Sequence, residues 1–303
     1  MAVHPHTLIV PYSRSVAPAP IVDEASVLAQ LPDGPVARAR SIAWRAWFAT
    51  GAERYELAAE ALALDPQCSD AFLLIAELEP EWHPRQNKFE RAVSAASFHS
   101  GREGWIESTP EGDRIRLWIG GPLLRAQIAA ARSMVYGGFH WEALQRLRML
   151  LTFCPNEPYA LQYELLQLAH QTRDLEVINW TVDFDRSGSC TMAYERLWLA
   201  LVTRAPRREI ARLARLAIRA NRYVPALLRK PLEPAPAPSP YAHLLSRFAK
   251  ADVQLGDMPP KRLTAGAPGS EEEAEAYAAW TILAWQEEDR ARDWLLLPPR
   301  EKV

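Results

Sequence analysis

The chain has few cysteines, few glycines, no excess of either charge and no long apolar run, and each shortage removes a class of protein. Its 3 cysteines, Cys68, Cys154 and Cys190, are odd in number, widely spaced and free of any CxxC pair. Neither a disulfide framework nor a zinc ribbon is implied, and a reducing compartment is the simpler setting. With 13 glycines in 303 residues, an all-β protein built on tight turns is excluded. A net charge of −2 gives the molecule as a whole no electrostatic bias toward nucleic acid or a membrane surface. No apolar run approaches the ~20 residues a membrane helix needs. Residues 1–20 lack the charged and continuous apolar regions of a secretory signal. These absences together predict a cytoplasmic protein.

What the chain does have is a hydrophobic content of 49%, enough for a core, and 25 prolines that gather in tails and linkers. Between them run segments of helical periodicity that fall into pairs. The first is 36–50 with 52–64, opened by Asp33-Gly34-Pro35, where Asp33 can cap and Pro35 suits a first turn. The second is 70–78 with 86–98. The third and clearest is 123–136 with 141–153, then 159–171 with 174–182, and 191–203 with 207–220. Ser270 followed by Glu273 is a capping box opening a last pair over 270–297. Residues 100–122 hold two apolar patches split by turn formers. A hairpin fits there, as does a loop followed by an early helix start. Residues 231–240 are too rich in proline for regular helix and read as a stiff extended linker. The expected organisation is an N-terminal arm (1–32) and a helical array (33–229) with an irregular insertion at 100–122. A proline-rich linker (230–268), a C-terminal helix pair (269–297) and a tail (298–303) follow.

Small residues stand where paired helices must touch: Ala131 on one helix, Gly138 at the turn, Ala143 on the next, and Pro155 past its end. This pattern resembles the tetratricopeptide repeat, whose unit is ~34 residues. A degenerate copy surrounds Ala61 and Pro66 and runs on through Phe72, Ile75 and Ala76. Over roughly 43–285 the chain also resembles the soluble part of the "suppression of tumorigenicity seven" family. The residues concerned are 61–66 with 71–79, 88–96, Asn221, Val224 and Pro225 before Leu227-Leu228, and Glu273, Ala274, Ala276, Tyr277 and Trp285. This chain differs in a longer stretch at 230–268. The resemblance implies a helical-repeat fold with a scaffolding role and supplies no catalytic residues. The expected fold is all-α: a tetratricopeptide-like α-solenoid of about five helix pairs plus a C-terminal pair.

The strongest local feature is an arginine stripe, Arg208, Arg212, Arg215, Arg219 and Arg222. Its steps of four and three put all five on one face if the helix continues. The ordinary role of such a run is to solvate an outer face. Five like charges in a line also invite a counter-charge, either an acidic partner or the acidic run at Glu271, Glu272, Glu273 and Glu275. Of the 11 tryptophans, Trp44, Trp47, Trp198, Trp280 and Trp285 fit helix cores. Trp82, Trp105 and Trp141 lie near turns, where aromatic side chains can anchor a partner. Asp183, Asp185 and the Ser187–Ser189 segment lack the later ligands of a calcium loop. No zinc or phosphate-loop spacing is present. No cofactor and no metal are expected.

The reading is a non-enzymatic adaptor that binds a protein or acidic peptide, with Arg208, Arg212, Arg215, Arg219, Arg222, Trp141 and Trp105 as partner-binding candidates. Nucleic acid and membrane are not expected partners, and self-association through an exposed end is a further option. An enzyme or nucleic-acid-linked regulator with a site assembled from distant residues is the alternative.

Overall fold

The computed structural model describes residues 34–103, 110–153, 161–184, 189–230 and 268–297. They form helices α1 (Pro35–Phe48), α2 (Gly51–Leu64), α3 (Ser69–Ala76), α4 (Trp82–Glu103), α5 (Pro110–Tyr136) and α6 (His140–Phe153). After these come α7 (Leu161–Thr172), α8 (Leu175–Phe184), α9 (Cys190–Val202), α10 (Arg207–Ala220), the short α11 (Val224–Leu227), α12 (Glu271–Glu287) and α13 (Asp289–Leu296). No strand occurs among the described residues. The protein is all-α, and each helix pair expected from periodicity is present.

Two compact units divide these helices: α1–α6 in one, α7–α13 in the other. In the first, every helix packs on its successor, and α3 also touches α1 and α5. Alanine makes this packing close. Ala39, Ala43 and Ala46 of α1 and Ala58 and Ala61 of α2 are completely buried, as are Ala92 and Ala95 of α4 and Ala126 of α5. With no side chain beyond Cβ at the crossing, backbones approach closely, and Trp47, Leu73 and Leu74 fill the space between crossings. Ala131 and Ala143 are likewise completely buried, and Gly138 takes φ +82 between α5 and α6. In that αL conformation its N–H reaches Val135 O, and the Phe139 N–H reaches Met134 O, closing the helix end. Pro155 lies outside the described residues.

Charged pairs link the helices of this unit. Arg125 on α5 grips Asp70 on α3 through two parallel bonds of 2.9 and 2.7 Å, both side chains buried. Arg54 pairs with Glu77 at 2.9 Å and lies over the Trp47 ring. Two sequence expectations change here. Helix α1 begins after Gly34, which offers no side-chain cap, and Asp33 lies outside the described residues. The stretch read as an irregular insertion at 100–122 is entered by helix from both sides: α4 runs to Glu103 and α5 starts at Pro110. Proline suits a helix start, as at Pro110, and Pro122 sits inside α5.

In the second unit α7, α8, α9 and α10 pack in succession. The C-terminal pair then folds back: α12 lies on α7, α9 and α11, and α13 on α9 and α12. Two helices here, α7 and α9, end with arginine where glycine is usual. Arg173 has φ 56 and Arg204 φ 60. In each case the next residue's N–H reaches back five positions, Asp174 to Ala169 O and Ala205 to Ala200 O, the Schellman pattern of a tight helix end.

Candidate functional site

Helix α10 follows Pro206 and is sharply two-sided. Leu213, Ala214 and Ala217 are buried, while Arg208, Arg212, Arg215 and Arg219 are exposed. The stripe therefore exists as a face for these four. It does not extend to Arg222, because α10 ends at Ala220: Asn221 has φ −158 and ψ 112, which turns the chain out of the helix. Arg222 instead lies over the Tyr223 ring and donates to its hydroxyl at 3.1 Å.

One arginine of the face is locally neutralised. Arg212 Nε and Nη2 hold the two Glu209 oxygens at 2.9 and 2.6 Å. The Arg212 hydrogen bond and charge hold the Glu209 carboxyl below its ordinary range, and Glu209 raises Arg212 in return. This pair is open to water and adds little to stability. Arg208, Arg215 and Arg219 have no ion-pair partner among the described residues. Leu216, 43% exposed, lies among them.

The acidic run at the start of α12 does not supply their counter-charge. Ser270 Oγ accepts from Glu273 N at 3.2 Å, as the capping box requires. Glu273 turns inward, where its Oε2 accepts from Gly269 N at 2.7 Å and from Asn221 Nδ2 at 3.1 Å. Glu271, Glu272 and Glu275 are exposed and make no ion pair to α10 among the described residues.

The tryptophan candidates separate. Trp141, at the start of α6, is 59% exposed. Trp82 is committed to packing: its ring stacks on Phe139 at 4.8 Å and its Nε1 donates to Ser133 O at 2.6 Å. It also covers Gly137, where an added Cβ would collide with the indole. Trp105 lies outside the described residues. Trp141 and the arginine face belong to different units.

Periodicity gave no warning of a buried polar chain in the second unit. Glu195 on α9 is 0% exposed. Its Oε2 lies 2.6 Å from His170 Nε2 on α7, and its Oε1 accepts from the Tyr277 hydroxyl on α12 at 2.9 Å. Tyr277 Oη in turn accepts from Trp285 Nε1 at 2.9 Å. Burial, then the Glu195 charge, pushes the Tyr277 hydroxyl well above its ordinary value. A lone acid in the apolar run of α9 was the available signal. A second junction centres on Asn221, which sequence singled out only through a family resemblance. Its Nδ2 also donates to Ser270 O at 2.7 Å, its Oδ1 accepts from Tyr223 N at 3.0 Å, and its carbonyl accepts from the Tyr194 hydroxyl at 2.7 Å.

Among the described residues, no group of three or more His, Cys, Asp or Glu side chains is placed to hold a metal ion. Of the weak calcium-loop motif, Asp183 accepts from Asn179 at 3.4 Å, and Asp185 and Ser187 lie outside the described residues. Among the described residues no helix is long and apolar enough to cross a membrane. No protein-family model, curated protein or solved structure matches this chain.

Proposed function

We propose that this protein is a non-enzymatic, cytoplasmic adaptor that binds an acidic protein segment, with the exposed face of α10 as its contact surface. The observation that carries the reading is an uncompensated charge. Arg208, Arg215 and Arg219 share one exposed helix face and have no ion-pair partner among the described residues. Like charges at helical spacing repel, and an opposing surface converts that repulsion into attraction. Leu216 among them supplies the apolar contact that protein interfaces use at their centre. The helix pairs with buried alanine at their crossings support a tetratricopeptide-like solenoid, the architecture in which stacked helix pairs serve as binding scaffolds. The likeness to the "suppression of tumorigenicity seven" family fits the same scaffolding role.

The groups that most resemble catalytic machinery support this reading from the other side. His170, Glu195 and Tyr277 are enclosed and already bonded to one another, which suits a fastener between helices. The test is affinity capture of proteins from native lysate by the wild-type chain and by the Arg212→Glu/Arg215→Glu/Arg219→Glu variant at low and moderate salt. A partner present with wild type and lost with the variant supports the adaptor. Retention of every partner by the variant overturns it.

A further inference from the structure

Resting on the reading of α10 as a contact surface, we infer that the segment it binds is an acidic amphipathic α-helix lying along α10, not an extended acidic strand. The spacing of the arginines decides this. Arg208, Arg212, Arg215 and Arg219 are separated by four, three and four residues on one continuous helix. At ~1.5 Å rise per residue they span about 16 Å, an average step of about 5.5 Å. A second helix running alongside presents its own positions at the same rises, so its carboxylates meet the uncompensated Arg208, Arg215 and Arg219, while Arg212 stays within reach beside Glu209. An extended chain repeats its side chains on one face only every ~6.8 Å. Over the same stripe it drifts out of register by about 4 Å, more than a hydrogen bond tolerates.

Leu216 gives the partner a second requirement. It follows Arg215 directly and stands four residues after Arg212 and three before Arg219. It is 43% exposed, inside the cationic field. A helix with acids flanking one central apolar side chain covers this leucine while pairing the arginines. A nucleic-acid backbone offers the charge but no apolar surface for Leu216, and the chain's net charge of −2 provides no overall field to gather a polyanion.

The experiment uses the full chain and two synthetic peptides of identical composition and about three heptads in length. One carries Glu at four-three-four spacing around a central Leu, and the other carries the same residues at strand alternation. Fluorescence anisotropy measures affinity, and circular dichroism measures helix gained on mixing. The expected result is that the first peptide binds about tenfold tighter than the second and gains helix. It should then lose about tenfold with the Arg212→Glu/Arg215→Glu/Arg219→Glu variant and about threefold or more with Leu216→Ser. Arg215→Gln/Arg219→Gln serves in place of the triple variant if thermal melting shows that variant unfolded. Equal binding of both peptides, abolished by the arginine variants, overturns the helical partner but leaves the acidic-partner reading standing. Failure of both peptides to bind, or binding that the arginine variants do not weaken, overturns both. Tighter binding of a single-stranded oligonucleotide or of anionic vesicles than of either peptide also overturns both.

Discussion

Asn221 shows how much one buried amide can hold. It is 1% exposed and spends both ends of its side chain, donating to Ser270 O and Glu273 Oε2 and accepting from Tyr223 N. Removing the amide leaves a buried carboxylate short of a donor, a cost of roughly 2–4 kcal/mol. Asn221→Ala should lower the urea midpoint accordingly, and Asn221→Asp should lower it further by facing Glu273 with like charge. Arg204 is the converse case. It holds φ 60 and is exposed with no ion-pair partner among the described residues. Since the left-handed conformation costs an L-residue about 1 kcal/mol, Arg204→Gly should stabilise the fold by about 0.5–1 kcal/mol in the same assay. The thiols supply a pH dependence. Burial, with the Asp70 charge adding to it, raises the Cys68 thiol from its ordinary 9.0 to about 12, and burial also raises Cys190. Above pH 9 the unfolded chain releases these protons while the folded chain keeps them. Stability contributed by Cys68 is therefore full below pH 9 and falls as pH climbs toward 12, with Cys190, Tyr194 and Tyr277 acting in the same direction. Unfolding free energy measured from pH 8 upward should decline across that window, and Cys68→Ser should flatten the decline.

Helices were largely legible before the structure because two local codes agree here. Apolar residues recur at helical period, and the punctuation is explicit: Asp65-Pro66 ends α2, Gly138 ends α5, Ser270 opens α12. The Ser270 cap was readable to the atom, and Ser270→Ala should cost ~1 kcal/mol by chemical denaturation, the usual loss when an N-cap hydroxyl is removed. The candidate face was legible for the same reason, since charge at four-three spacing needs only a helix beneath it. Its limit at Arg222 was not. Helix termination at Ala220 depends on Asn221 being held by α12, a contact formed 49 residues away in the chain. Of the two readings open for 100–122, the early helix start is the one observed, although the turn formers at 108–113 carry a strong local signal against it. Proline is nevertheless tolerated in a first helical turn, so α5 starts at Pro110, and its packing against α4 outweighs the breaker at Pro122.

At the scale of the whole molecule, periodicity locates helices but says nothing of which distant ones meet. The buried Glu195 illustrates the gap: its partners lie 25 and 82 residues away, on α7 and α12. A carboxylate in that position destabilises α9 until both donors arrive, so the second unit depends on the return of α12 and α13. Apolar packing adds to this dependence, since Trp285 and Tyr277 are buried against Tyr194, and Trp198 donates to Ala284 O at 3.1 Å. Ending the chain after 267 strips Glu195 of its Tyr277 donor and opens the apolar faces of α7 and α9 together. One buried cluster of the first unit is drawn, among the described residues, wholly from α1 to α5 and the turns between them. Truncation after 267 should therefore abolish slow amide exchange in α7–α10 while α1–α5 keep theirs, measured by hydrogen exchange with peptide-level mass spectrometry. If α7–α10 stayed protected, the returning pair would be an ornament on a unit already stable without it, and the burial of Glu195 would need another source of compensation.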